Sequence, residues 1–140
     1  MADDVASYTA AGDKAWRESQ FAKAKILDRR GDKAGALKIF GRLSSNVQTP
    51  EGAESAYYVI EEAFRSGDTA RAEKLTFEFS DKGTPHAYWL AKSFLLLGDI
   101  YVQKGDMFQA RATYQSIVDG YTPADDGIID QAKERIQKLN

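Results

Sequence analysis

The chain has no cysteine, a single histidine and only three prolines among its 140 residues. Without cysteine it forms no disulfide and offers no thiolate to a metal. Its net charge of −2 lacks the basic excess that releases counterions from a phosphate backbone, which argues against nucleic acid as a partner. Long apolar runs are missing too. Runs such as Phe94–Gly98 fall far short of the roughly 20 residues that a membrane-spanning helix needs. Met1–Gly12 holds two aspartates but neither a basic start nor an apolar core, so it is not a secretory leader. As it stands the chain reads as cytoplasmic.

What the sequence does have is repetition. Gly-Asp-x-x-x-Ala occurs at Gly31–Ala36, Gly67–Ala72 and Gly105–Ala110, with spacings of 36 and 38 residues. Thr-Pro follows each copy, at Thr49-Pro50, Thr84-Pro85 and Thr122-Pro123, and these are all the prolines of the chain. A fixed period of 20–50 residues marks stacked repeats.

Each Gly-Asp has the chemistry of a tight helix–helix turn. Glycine closes a helix in the left-handed conformation, and the aspartate then caps the next helix through its carboxylate. Arg29-Arg30, Arg65 and Lys104 precede the turns, where the helix dipole is negative. Gln109, three residues after Asp106, completes a capping-box pattern. Thr-Pro suits the other joint, with threonine as N-cap and proline at the first helical position. On that basis Pro50, Pro85 and Pro123 are expected to open helices.

Between these signs the apolar residues recur at three- and four-residue steps, as in Ala110, Tyr114, Ile117, Val118 and Tyr121. Ala87–Lys104 is apolar almost all round, as a helix covered on both sides would be. No strand-like alternation appears. The fold class is all-α. Residues 1–12 read as a loop or frayed segment and 13–140 as one helical repeat domain. Its units run over about 13–49, 50–84 and 85–122, and a half-polar capping helix covers 124–140. The start lacks an equally clear cap, as expected if further repeats precede it.

The third unit carries a recognisable pattern in Phe94, Leu97-Gly98, Tyr101, Ala110 and Tyr114. Matching positions are Gln20, Lys23-Ala24, Leu27, Ala36 and Phe40 in the first unit, and Ala56, Val59-Ile60, Ala63, Ala72 and Thr76 in the second. This layout resembles the tetratricopeptide repeat, a helix–turn–helix of about 34 residues. Leu43, Phe79 and Ile117 stand where that family has a small residue. The third unit and last helix are similar to the C-terminal part of long bacterial proteins of this kind, many of them associated with the cell envelope, so for a fragment of such a protein the resemblance implies the cell envelope or periplasm.

The resemblance implies a right-handed α-solenoid of antiparallel helix pairs, three repeat-like units and a capping helix. It also implies a non-catalytic scaffold that holds a partner's peptide or helix in the concave groove lined by the first helices. Carried over by position, the groove residues are Phe21, Lys25, Asp28, Tyr57, Glu61, Phe64, Arg65, Leu95, Asp99 and Val102. Phe21, Tyr57 and Leu95 occupy places where the family's carboxylate-clamp subtype has lysine, so chaperone tails are not expected ligands. Of the adjacent Tyr57 and Tyr58, family position assigns Tyr57 to the groove and Tyr58 to packing. The alternative reading is a terminal piece of a longer solenoid, or a self-associating homo-oligomeric spacer.

Nothing in the sequence assembles a reactive site. His86 follows Pro85 with no companion that would complete a catalytic or metal centre, so it reads as a surface or packing residue. Asp125-Asp126 suit the first turn of the last helix. Glu61 and Glu62 point about 100° apart on a helix and cannot converge on one substrate. No nucleophile elbow, phosphate-binding glycine loop or His-Glu-x-x-His occurs. The expectation is no enzyme, no cofactor and no metal.

Overall fold

The computed structural model describes residues 14–140. The expected loop at 1–12, and Asp13 after it, lie outside the described residues. Seven helices follow in order: α1 (Lys14–Arg29), α2 (Lys33–Leu43), α3 (Pro50–Arg65), α4 (Thr69–Lys82), α5 (Ala87–Gln103), α6 (Met107–Gly120) and α7 (Ile128–Lys138). No strand occurs among the described residues.

The three Gly-Asp copies make one and the same turn. Gly31, Gly67 and Gly105 take φ of 90°, 87° and 78°, a region closed to most side chains. Their N–H groups bond Asp28, Phe64 and Val102 carbonyls, and those of Asp32, Asp68 and Asp106 bond Leu27, Ala63 and Tyr101. This double bond pattern satisfies carbonyls that a bare helix end would leave orphaned. Each aspartate then accepts from the third residue on, namely Gly35 at 2.9 Å, Arg71 at 3.2 Å and Gln109 at 3.0 Å. The capping box expected at Gln109 is incomplete, because the Asp106 N–H it would bind is already taken by Tyr101.

The Thr-Pro joints are not alike. Thr49 caps α3 as expected, its Oγ1 accepting from the Gly52 N–H at 3.0 Å, with Pro50 first in the helix. Pro85 does not open α5, which starts at Ala87, and Pro123 does not open α7, which starts at Ile128. At the second joint Thr84 instead donates to the Val47 carbonyl at 2.7 Å, 37 residues away. Gln48 Nε2 donates to the Gly83 carbonyl at 2.9 Å, and His86 Nε2 lies 2.9 Å from the Gln48 carbonyl. Residues 47–48 and 83–86 are thereby laced together. At the third joint Asp126 sits before α7 rather than in its first turn. It accepts from the Ile128 N–H at 3.1 Å and from the Tyr121 hydroxyl.

Each helix packs on the next one, and α1, α3, α5 and α7 also pack in sequence along one side. That pattern is a row of hairpins, not a bundle around one centre. The apolar core follows it in three connected clusters. Ala24, Ala36 and Phe40 join α1 to α2. Ala53, Ala56, Ile60, Ala63, Ala72, Phe79 and Ile100 join α3, α4 and α5. Leu95, Leu97, Tyr101, Ala110, Tyr114, Ile117, Ile128 and Ala132 join α5, α6 and α7. Helix α5 is shared by two clusters, which is why its sequence is apolar all round. Gly98 lets α6 approach closely: a Cβ there would overlap the Tyr114 ring.

Candidate peptide-binding groove

Side by side, α1, α3 and α5 bring five aromatic rings into one unbroken ladder, and Phe40 of α2 adds a sixth. Phe21 on α1 stacks on Tyr58 of α3 at 6.4 Å between centroids, and both touch Phe40 of α2 at 5.9 and 5.0 Å. Tyr58 meets Tyr57 at 6.0 Å and Trp89 of α5 at 5.9 Å. Trp89 then meets Tyr57 at 5.6 Å and Tyr88 at 5.0 Å. These separations are those at which edge-to-face and offset ring pairs attract.

Carboxylates hold the α3 end of the ladder in place. Tyr58 donates to Glu54, one turn before it, and Tyr57 donates to Glu61, one turn after it, at 3.3 Å. Burial first, and then the neighbouring carboxylate, raise both phenol pKa values above their ordinary level. Both rings therefore stay neutral donors at any physiological pH. Lysines lie over the ring faces. Lys25 sits 5.4 Å from the Phe21 centroid and 5.8 Å from Tyr58, and also pairs with Glu54 at 3.6 Å.

A cleft open to solvent lies beside the ladder between α1, α2 and α3, lined by Lys25, Asp28, Tyr58, Glu61 and Arg65 among others. Four of the ten sequence-assigned groove residues thus meet in one place, with Phe21 adjacent in the ring stack. Their charges are largely matched internally: Lys33 pairs with Asp28 at 2.8 Å and Arg65 with Glu61 at 3.3 Å.

The other assigned residues separate. Leu95 is 3% exposed in the core among α5, α6 and α7, because that side of α5 faces Tyr114 and its neighbours. It presents no side-chain surface to a ligand. Phe64 is half-buried against the α3–α4–α5 core. Asp99 and Val102 line a second cleft, closed on one side by α7. There Asp99 is already engaged, by Arg135 at 2.9 and 3.3 Å and by the Tyr114 hydroxyl. The expected division between the adjacent tyrosines is reversed. Tyr57 is 7% exposed, whereas Tyr58 is the half-buried ring that reaches the cleft.

Sequence reasoning missed Tyr88, Trp89 and Lys92, which extend the ladder onto α5. The available signal was the adjacent aromatic pair Tyr88-Trp89, echoing Tyr57-Tyr58 one unit earlier. Among the described residues no group of three or more His, Cys, Asp or Glu side chains could hold a metal ion. No described helix is long and apolar enough to cross a membrane.

Comparison with curated proteins and with solved structures gives no significant match. Residues 88–121, spanning α5 and α6, match the family model of the tetratricopeptide repeat. The match covers the positions at which the pattern is fullest, Phe94, Leu97-Gly98, Tyr101, Ala110 and Tyr114. The hairpin of α5 and α6 is thus similar to a tetratricopeptide repeat, and it stands in an all-helical row of hairpins.

Proposed function

We propose that the chain is a non-catalytic interaction module that seats a peptide or helix of a partner protein across α1, α3 and α5. A tetratricopeptide repeat is in general a protein-interaction module, and the reading for this chain goes further by choosing a surface. The observation that carries it is the ring ladder from Phe21 through Tyr58 to Trp89, flanked by the charged cleft at Lys25, Glu61 and Arg65. Rigid aromatic rings with arginine beside them supply large contact area at low entropic cost, the usual make-up of binding anchors. The carboxylate bonds of Tyr57 and Tyr58 fix the rings before a partner arrives, which lowers the cost of ordering them on binding.

The test is affinity capture of partners on the purified chain, followed by titration of each with Tyr58→Ala and Arg65→Ala. Loss of at least about tenfold in affinity for Tyr58→Ala is expected of a central aromatic anchor. Partners bound equally well by both variants would remove the groove from consideration. Helical circular dichroism on each variant separates lost contact from lost fold.

A further inference from the structure

Lys92 is in an unusual position for a lysine. Its ammonium lies 4.8 Å from the Tyr57 centroid, 5.3 Å from Trp89 and 5.6 Å from Tyr88. It makes no ion pair among the described residues. Three ring faces directed at one ammonium form the arrangement by which proteins bind foreign cations, including alkylated ammonium groups. The surroundings favour positive charge as well, since Glu61 bonds the hydroxyl of the cage residue Tyr57. Lys92 is held by a flexible four-carbon stem, so its head can leave without disturbing α5.

We infer that the place of the Lys92 ammonium over Tyr57, Tyr88 and Trp89 is a seat for a cationic side chain of the partner, occupied by Lys92 in the free protein. This rests on the groove reading and specifies its partner: a segment bearing an arginine or lysine that displaces the resident ammonium. Arginine has the added advantage that its planar guanidinium stacks on ring faces and sheds water more easily than an ammonium. A second lysine, Lys25 over Phe21 and Tyr58, repeats the motif at the far end of the ladder. The rings thus form a track for cations rather than a single point.

The experiment titrates n-butyltrimethylammonium, n-butylguanidinium and butanoate into the wild type and Lys92→Met, following the Trp89 indole N–H by nuclear magnetic resonance. Methionine keeps the apolar stem and removes the competing charge. Lys92→Met is expected to bind both cations about tenfold more tightly than the wild type, and butanoate not at all. Adding Tyr88→Ala to Lys92→Met, which keeps the Trp89 probe, abolishes cation binding. If that double variant does not fold, the Trp89 shift in Lys92→Met alone decides the matter. Equal cation affinity with and without Lys92 overturns the inference. So does butanoate binding that Lys92→Met removes, which would make the lysine an anion site instead. The groove itself is judged separately by Tyr58→Ala and Arg65→Ala, so a failed cation seat leaves that reading standing.

Discussion

Arg135 on α7 reaches across to α5 and places Nε 2.9 Å and Nη2 3.3 Å from the two carboxylate oxygens of Asp99. The same carboxylate accepts from the Tyr114 hydroxyl on α6, so one acid ties together the last three helices. Burial works against the Arg135 charge, but the Asp99 contact outweighs it and raises the guanidinium pKa. Such two-pronged charge-assisted bonds are stronger than ordinary ones and orient what they join. Arg135→Ala should lower stability by about 1.5–3 kcal/mol, the range for a hydrogen bond to a charged group. Hydrogen exchange should show the loss of protection concentrated in α7 while α1–α4 stay protected.

Gly98→Ala should be costly although alanine is the better helix former. The added methyl would enter the Tyr114 ring, and neither α5 nor α6 can shift without disturbing the core around Leu97 and Ile117. Overpacking of this kind costs about 1–3 kcal/mol, outweighing the roughly 1 kcal/mol propensity gain. Urea denaturation should show a lower midpoint, and trimming the ring with Tyr114→Leu in the same chain should recover part of the loss.

The capping aspartates are the next test. Asp32→Ala, Asp68→Ala and Asp106→Ala each remove one side-chain acceptor at a helix start, worth about 1 kcal/mol apiece. Thermal melting should show three similar, separately additive losses, since the sites share no partners. Pro123→Ala, by contrast, should leave the start of α7 where it is. That helix begins five residues later, after Gly127 at φ 88° with Asp126 bonding the Ile128 N–H.

Tyrosine ionisation gives the pH dependence. Burial first, and then carboxylate contact, raise the phenols of Tyr57, Tyr58, Tyr114 and Tyr121 above their ordinary range, while Tyr101 is pushed up to about 12. A raised folded-state value means the folded chain holds its proton longer than the unfolded one. The associated stability is complete below the ordinary phenol value near 10, and is lost as pH climbs from there through the folded values. Absorbance at 295 nm should therefore lag in the folded protein above pH 10 and rise together with unfolding. On the acid side Glu73, whose pKa is lowered by bonds from Tyr101 and Lys104, contributes stability above the ordinary carboxylate range. That contribution disappears as pH falls through its depressed value.

The helix order and the Gly-Asp turns were legible in the sequence because they are local. Glycine at positive φ followed by a capping aspartate needs only a few consecutive residues to be read. The Thr-Pro joints were legible only once. Thr84 is the same residue type as Thr49, yet its hydroxyl finds the Val47 carbonyl 37 positions away, and no local pattern announces such a partner. The groove was half legible for the same reason. Lys25, Asp28, Glu61 and Arg65 converge because they follow helical spacing on α1 and α3. Leu95 shares that spacing but lies on a helix buried on several sides, where position alone does not separate groove from core. Tyr88, Trp89 and Lys92 escaped notice because their role comes from ring contacts between neighbouring hairpins.

The lacing of residues 47–48 to 83–86 makes the row mechanically uneven. Hydrogen bonds stitch the first two joints along one rim, and among the described residues no hydrogen bond stitches 83–86 to the segment before α7. At that end α7 is held instead by the Arg135–Asp99–Tyr114 contacts and by the buried Ile128 and Ala132. The row is therefore fastened in two ways, by lacing between its leading joints and by a side-chain clasp across its last three helices.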